Sequence, residues 1–135
     1  MAVEWMLVTG SIWGTTNALM KRGTSALDRR NRQLGARQSG GDSWLGAVVR
    51  DWILLLCTWE YSLPLAINLS ASLVFFAKLS ESPLSLAVPI TNATTFAATA
   101  VAGSALGERL RLKQTALGLL LIVAGIWLCC HSARD

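Results

Sequence analysis

Apolar residues gather into four blocks along this chain, at about residues 3–20, 61–77, 84–106 and 115–130, and are not spread at amphipathic spacing. Each block, with its flanks, approaches the roughly 17–25 residues that carry a helix across a hydrocarbon core of about 30 Å at about 1.5 Å per residue. A soluble four-helix bundle would need a polar face on every helix, and the run ALGLLLIVAGIWLCC at 116–130 offers none. The pattern predicts an all-α membrane protein: one domain over 1–135 with four transmembrane helices.

Two segments interrupt that pattern. Residues 24–42 are polar and basic with scattered Gly, Gln and Ser, and they predict a flexible loop. Next, Trp44, Val48, Trp52, Leu55 and Trp59 recur at steps of three and four, with Arg50 on the opposite side and Asp51 close to the apolar stripe. This spacing predicts a helix at about 43–58 lying in the membrane interface. The alternative is that Trp52 to Thr58 simply lengthens the second span. Trp44, Trp52, Trp59 and Tyr61, of the types that anchor interfaces, cluster here.

Composition agrees with lipid as solvent: 53% of residues are hydrophobic, above the roughly 45–50% of soluble domains. The net charge of +4 could point to nucleic acid, but its placement argues against it. Ten of the twelve Lys and Arg lie between blocks one and two (Lys21, Arg22, Arg29, Arg30, Arg32, Arg37, Arg50) or three and four (Arg109, Arg111, Lys113). With four crossings both segments are on one side, which the positive-inside rule makes cytoplasmic, so both termini are expected to be extracytoplasmic. Lys78 and Arg134 remain on the other side, each at a span end where a long side chain snorkels to the interface. Anionic lipid headgroups are the expected contact of the basic segment. Glu4 precedes the first block and Lys21 and Arg22 close it, the reverse of a signal peptide, so an uncleaved first span is expected.

Catalytic chemistry is not legible. His131 is the only histidine, with no nucleophile and orienting carboxylate to serve. Cys129, Cys130 and His131 are successive, and helical neighbours point about 100° apart, so they cannot close around one ion. They read as packing residues; Cys57 is a weak candidate for acylation. The sequons Asn68-Leu69-Ser70 and Asn92-Ala93-Thr94 fall inside spans, out of reach of glycosylation. No enzyme activity, cofactor or metal is expected.

The informative residues are the polar and small ones within the spans. Asn17, Asn68 and Asn92 put one carboxamide in each of the first three. Thr91, Thr95 and Thr99 recur every four residues on one helix face, and Pro89 leaves the carbonyl of Ser85 without its helical partner. Such a group is tolerated in a bilayer only against protein or a wet cavity. The face around Pro89, Thr91, Asn92 and Thr95 is therefore either a packing seam or a substrate pathway, and the two do not exclude each other. Gly10 and Gly14, Gly103 and Gly107, and Gly118 and Gly125 form small-residue stripes suited to helix packing.

With these residues placed, SIWGTTNALMKRG, the stretch from Glu60 to Glu108 and GLLLIVAGIWLC closely resemble the transmembrane protein 234 family of small four-span proteins. More distantly, Trp13, Gly14, Pro89, Gly107, Glu108, Gly118 and Gly125 resemble one repeat of the drug/metabolite transporter superfamily. There they are mostly packing and helix-end features, so the likeness implies fold more than substrate. The small multidrug exporters of that superfamily depend on a carboxylate within span one, and Trp5 to Met20 has none. Four spans rarely enclose a pathway, so the resemblance implies a homodimer, and the one-sided charge makes it a parallel one. Two functions follow as expectations: a transporter-like dimer moving a small organic solute, or a non-transporting accessory protein that works through a membrane-protein partner.

Overall fold

A computed structural model of the chain describes residues 2–35, 44–109 and 111–132, and all of its regular structure is helical. Five helices follow in order: α1 (Ala2–Gly35), α2 (Trp44–Cys57), α3 (Trp59–Leu79), α4 (Leu84–Ala105) and α5 (Leu112–Ser132). α3 and α4 are long and apolar enough to cross a membrane, and α5 carries a shorter apolar stretch, Lys113–Leu128. Only 17% and 11% of the apolar windows of α3 and α4 are buried within the protein, whereas the core helix of a soluble protein would be mostly covered. Leu73, Phe76, Val101, Leu120, Leu121 and Trp127 are all exposed, an apolar surface far beyond what a monomer in water presents.

α1 corrects one expectation. It continues to Gly35, so residues 24–35 of the expected flexible loop are helical. The stretch contains no proline and is rich in good helix formers, Ala26, Leu27, Arg29, Arg30, Arg32 and Leu34, and Arg32 closes an i,i+4 pair on Asp28 at 3.0 Å. Residues 36–42 of that loop lie outside the described residues. α2 matches the helix expected at 43–58 and has no buried residue. It is separate from α3, because Thr58 is extended at φ −85, ψ 113 between the two.

α1 is the hub of the packing: α4 and α3 both lie along it, α5 packs on α4, and α3 and α4 share no interface of comparable extent. The register follows from the contacts. Gly10 meets Thr91 and Thr94, Gly14 meets Thr95 and Ala98, and Lys21 reaches Glu108, so α1 and α4 run parallel. Trp5 and Trp13 pack in tilted fashion on Phe75 with ring centroids at 5.6 and 5.1 Å, and Gly23 abuts Glu60, so α3 runs antiparallel to both. The core is narrow, built on Met6, Ala18, Ala71, Phe75 and Ala87.

Hydroxyls inside these helices are largely satisfied by their own backbone. Ser11, Thr15 and Thr16 donate to the carbonyls of Leu7, Ser11 and Ile12 at 2.7, 2.8 and 2.8 Å. α4 ends in a Schellman stop: Gly107 takes φ +85, its N–H donates to the Ser104 carbonyl, and the Glu108 N–H donates to that of Gly103. That reversal aims Glu108 back at α1.

Candidate functional site

Among the described glycines, those of the α1–α4 seam stand nearest a neighbouring helix. A Cβ built on Gly14 would lie 2.5 Å from both the Thr95 carbonyl oxygen and the Ala98 Cβ, and one on Gly10 would lie 2.7 Å from the Thr91 carbonyl. Only glycine allows backbones this near. Across the seam Thr99 Oγ1 lies 3.2 Å from the Gly14 carbonyl and 2.7 Å from the Thr95 carbonyl, a shared donor joining the two helices. Thr95 donates to Thr91 of its own helix, and Thr91 is wholly buried with its hydroxyl unpaired. Pro89, which deprives the Ser85 carbonyl of its helical donor, is half-buried on the same helix.

The seam to α3 is polar in a different way. Asn68 Nδ2 donates to Thr16 Oγ1 at 2.8 Å, and the Trp13 indole N–H donates to the Asn68 carbonyl at 3.3 Å. Pro64, one turn into α3, frees the carbonyl of Glu60, and that oxygen would lie 3.1 Å from a Cβ on Gly23. Gly23 was not recognisable from spacing; the signal for it is the proline on the opposite helix.

Between the two seams lies a cleft. Met6 and Asn17 are eleven residues apart, which at about 100° per residue puts them within about 20° on α1 and about 16 Å apart along it. Both fall between the edge that meets α3 (Trp13, Thr16) and the edge that meets α4 (Gly10, Gly14). Met6 is fully buried and Asn17 is exposed, so the strip of α1 between the seams is covered at Met6 and open at Asn17. A separate cavity of about 750 Å³ is walled by the α1 segment from Leu19 to Arg29, the start of α3 and the end of α4; Asn17 does not line it, since Arg22 and Arg29 stand about 140° and 120° round α1 from that residue. Asn92 is also exposed, on the flank of α4 turned away from both α1 and α5. Neither the Asn17 nor the Asn92 carboxamide has a hydrogen-bond partner among the described residues.

The six pathway candidates therefore separate. Asn17 and Asn92 face outward, Asn68 bridges α3 to α1, Thr91 is sealed in the α1–α4 seam, and Thr95 meets Gly14 across it. Pro89 stands about 160° round α4 from Thr91, off the face it is expected to share with the threonines. The glycines separate too. Gly10 and Gly14 are true close-approach positions, whereas a Cβ on Gly103 would meet only the Glu108 carboxylate at 3.3 Å and Gly107 is the left-handed helix stop. A Cβ on Gly118 or Gly125 would meet nothing within 4 Å, so they pack against no helix among the described residues. A groove of about 590 Å³ between α4 and α5 is lined almost wholly by apolar side chains and suits hydrocarbon. Lys21 and Glu108 pair at 2.7 Å near the cavity mouth, with side chains 65% and 33% exposed, a link of modest strength. No three His, Cys, Asp or Glu side chains converge on a metal site among the described residues, and the side chains of Cys129 and Cys130 lie outside them.

Comparison with known proteins agrees with the helical, lipid-facing architecture. The family model of transmembrane family 234 matches residues 6–130. The chain is 35% identical over 127 residues to the "Transmembrane protein 234 homolog" of Dictyostelium discoideum, covering 94% of this chain and 92% of that protein. It is 34% identical over 128 residues to the protein of the same name from Anopheles gambiae, covering 95% and 85%. No solved structure matches. The chain belongs to transmembrane family 234 and is a membrane protein.

Proposed function

We propose that the protein is one protomer of a parallel homodimeric carrier, crossing the membrane four times with both termini extracytoplasmic, in which the cleft of α1, α3 and α4 carries a small organic solute. One observation carries this reading: Asn17 and Asn92 are exposed on α1 and α4, with carboxamides that find no partner among the described residues. Left against hydrocarbon, an unpaired amide costs on the order of several kcal/mol, so water, a solute or a second copy must meet it. Asn17 is open between the two seams, and the open backbone at Gly118 and Gly125 on α5 gives a second copy a place to pack. The resemblance of Trp13, Gly14, Pro89 and Glu108 to one transporter repeat supports the same fold-level reading. The chemistry is binding and passage, with no enzymatic step and no cofactor. Reconstituted protein should cross-link as a dimer, and a flux screen over neutral and zwitterionic solutes should find at least one flux abolished in Asn17→Leu and Asn92→Leu. A monomer whose fluxes ignore both substitutions would overturn the reading.

The second reading is a non-transporting accessory protein. The exposed apolar side chains of α2, among them Trp44 and Trp52, favour it, since they offer a surface to a partner or to the interface. It requires that deleting residues 24–42 abolish partner capture while Asn17→Leu and Asn92→Leu leave capture intact.

A further inference from the structure

The cavity between the end of α1, the start of α3 and the end of α4 carries a charge pattern that the carrier reading does not use. Arg22 and Arg29 stand two turns apart on one face of α1, both lining the cavity, and neither has an ion-pair partner among the described residues. Opposite them Glu60, on the first turn of α3, is likewise unpaired. Glu108 also borders the space, but Lys21 already neutralises it at 2.7 Å. Leu19, Leu63 and Leu106 form the apolar part of the wall. The cavity lies where the apolar stretches of α3 and α4 give out, at the depth of phospholipid headgroups, and about 750 Å³ is within the usual range of a ligand site.

We propose that this cavity is a binding site for an aminophospholipid headgroup of the serine type, with the acyl chains resting on the leucine wall. The charges match group for group. A phosphate on Arg22 and a carboxylate on Arg29 satisfy two guanidiniums suited to bidentate oxyanion recognition, and the ammonium satisfies Glu60. A glycerol headgroup would leave Glu60 facing only uncharged hydroxyls, and an ethanolamine headgroup would leave Arg29 without a carboxylate. The site is independent of transport, since it needs only the folded single chain.

The test is native mass spectrometry of the full-length protein released from nanodiscs holding phosphatidylserine, phosphatidylethanolamine and phosphatidylglycerol in equal amounts. Phosphatidylserine should be retained at least fivefold over each of the other two. Arg22→Gln with Arg29→Gln should lower retention at least tenfold, and Arg30→Gln, outside the cavity, should not. Glu60→Gln should erase the preference over phosphatidylglycerol, and Glu60→Asp should restore part of it. Equal retention of the three lipids by the unaltered protein overturns the proposal without recourse to any variant. Soluble glycerophosphoserine binding as tightly as phosphatidylserine overturns its lipid part, by showing that the acyl chains contribute nothing.

Discussion

Gly14→Ala is the sharpest probe of the α1–α4 seam. The added methyl would sit 2.5 Å from the Thr95 carbonyl oxygen and the Ala98 Cβ, and 2.7 Å from the Thr99 backbone nitrogen. Two of those three atoms are backbone, so no rotamer change relieves the clash and the helices must separate. Overpacking of this kind costs about 1–3 kcal/mol, and loss of the Thr99 bond to the Gly14 carbonyl adds about 0.6 kcal/mol. Better helix propensity of alanine returns up to about 1 kcal/mol. The net expectation is a destabilisation of about 1–3 kcal/mol, read by reversible unfolding in bicelles. The same methyl at Gly118 or Gly125 meets nothing within 4 Å in the single chain, so those substitutions should be neutral or slightly stabilising for the protomer. If Gly14→Ala is as stable as the parent, or Gly118→Ala costs as much, the seam is not where the protein is held together.

Three further outcomes are expected. Asn68→Leu should cost about 0.6–1.7 kcal/mol through loss of its bond to Thr16, and a double-mutant cycle with Thr16→Val should recover that coupling while Asn17→Leu shows none. The Lys21–Glu108 pair is largely solvated at Lys21, so Glu108→Gln should cost only about 0.2–1 kcal/mol, and the exchange Lys21→Glu with Glu108→Lys should recover most of it in unfolding measurements at low salt. Cys57 is exposed, so with Cys129 and Cys130 replaced by serine, an impermeant maleimide should label it from the cytoplasmic face alone; labelling from the opposite face would reverse the orientation proposed here.

Much of the helical framework is legible in the sequence because hydrocarbon imposes a length rule. The blocks at 61–77, 84–106 and 115–130 coincide with α3, α4 and α5 to within three residues at each end. Residues 24–35 were harder: polarity reads as disorder, yet Ala, Leu and Arg without proline continue a helix once α1 has nucleated. Gly10 and Gly14 announce a close face, but spacing alone cannot say that α4 is the partner. Thr91, Thr95 and Thr99 form the stripe their spacing predicts, and in the fold it serves the seam: Thr95 and Thr99 donate to backbone carbonyls and Thr91 is enclosed. The three asparagines look alike in the sequence and differ in three dimensions, because exposure depends on which flank of its helix each occupies.

The most direct measurement of the central claim is water accessibility at single cysteines in native membranes, placed at Asn17, Asn92, Leu73 and Leu120 in an otherwise cysteine-free chain. The account predicts that a small aqueous thiol reagent modifies positions 17 and 92 and leaves the lipid-facing positions 73 and 120 unreacted. Protection at 17 and 92 equal to that at 73 and 120 would contradict it, because the two carboxamides would then lie out of reach of water.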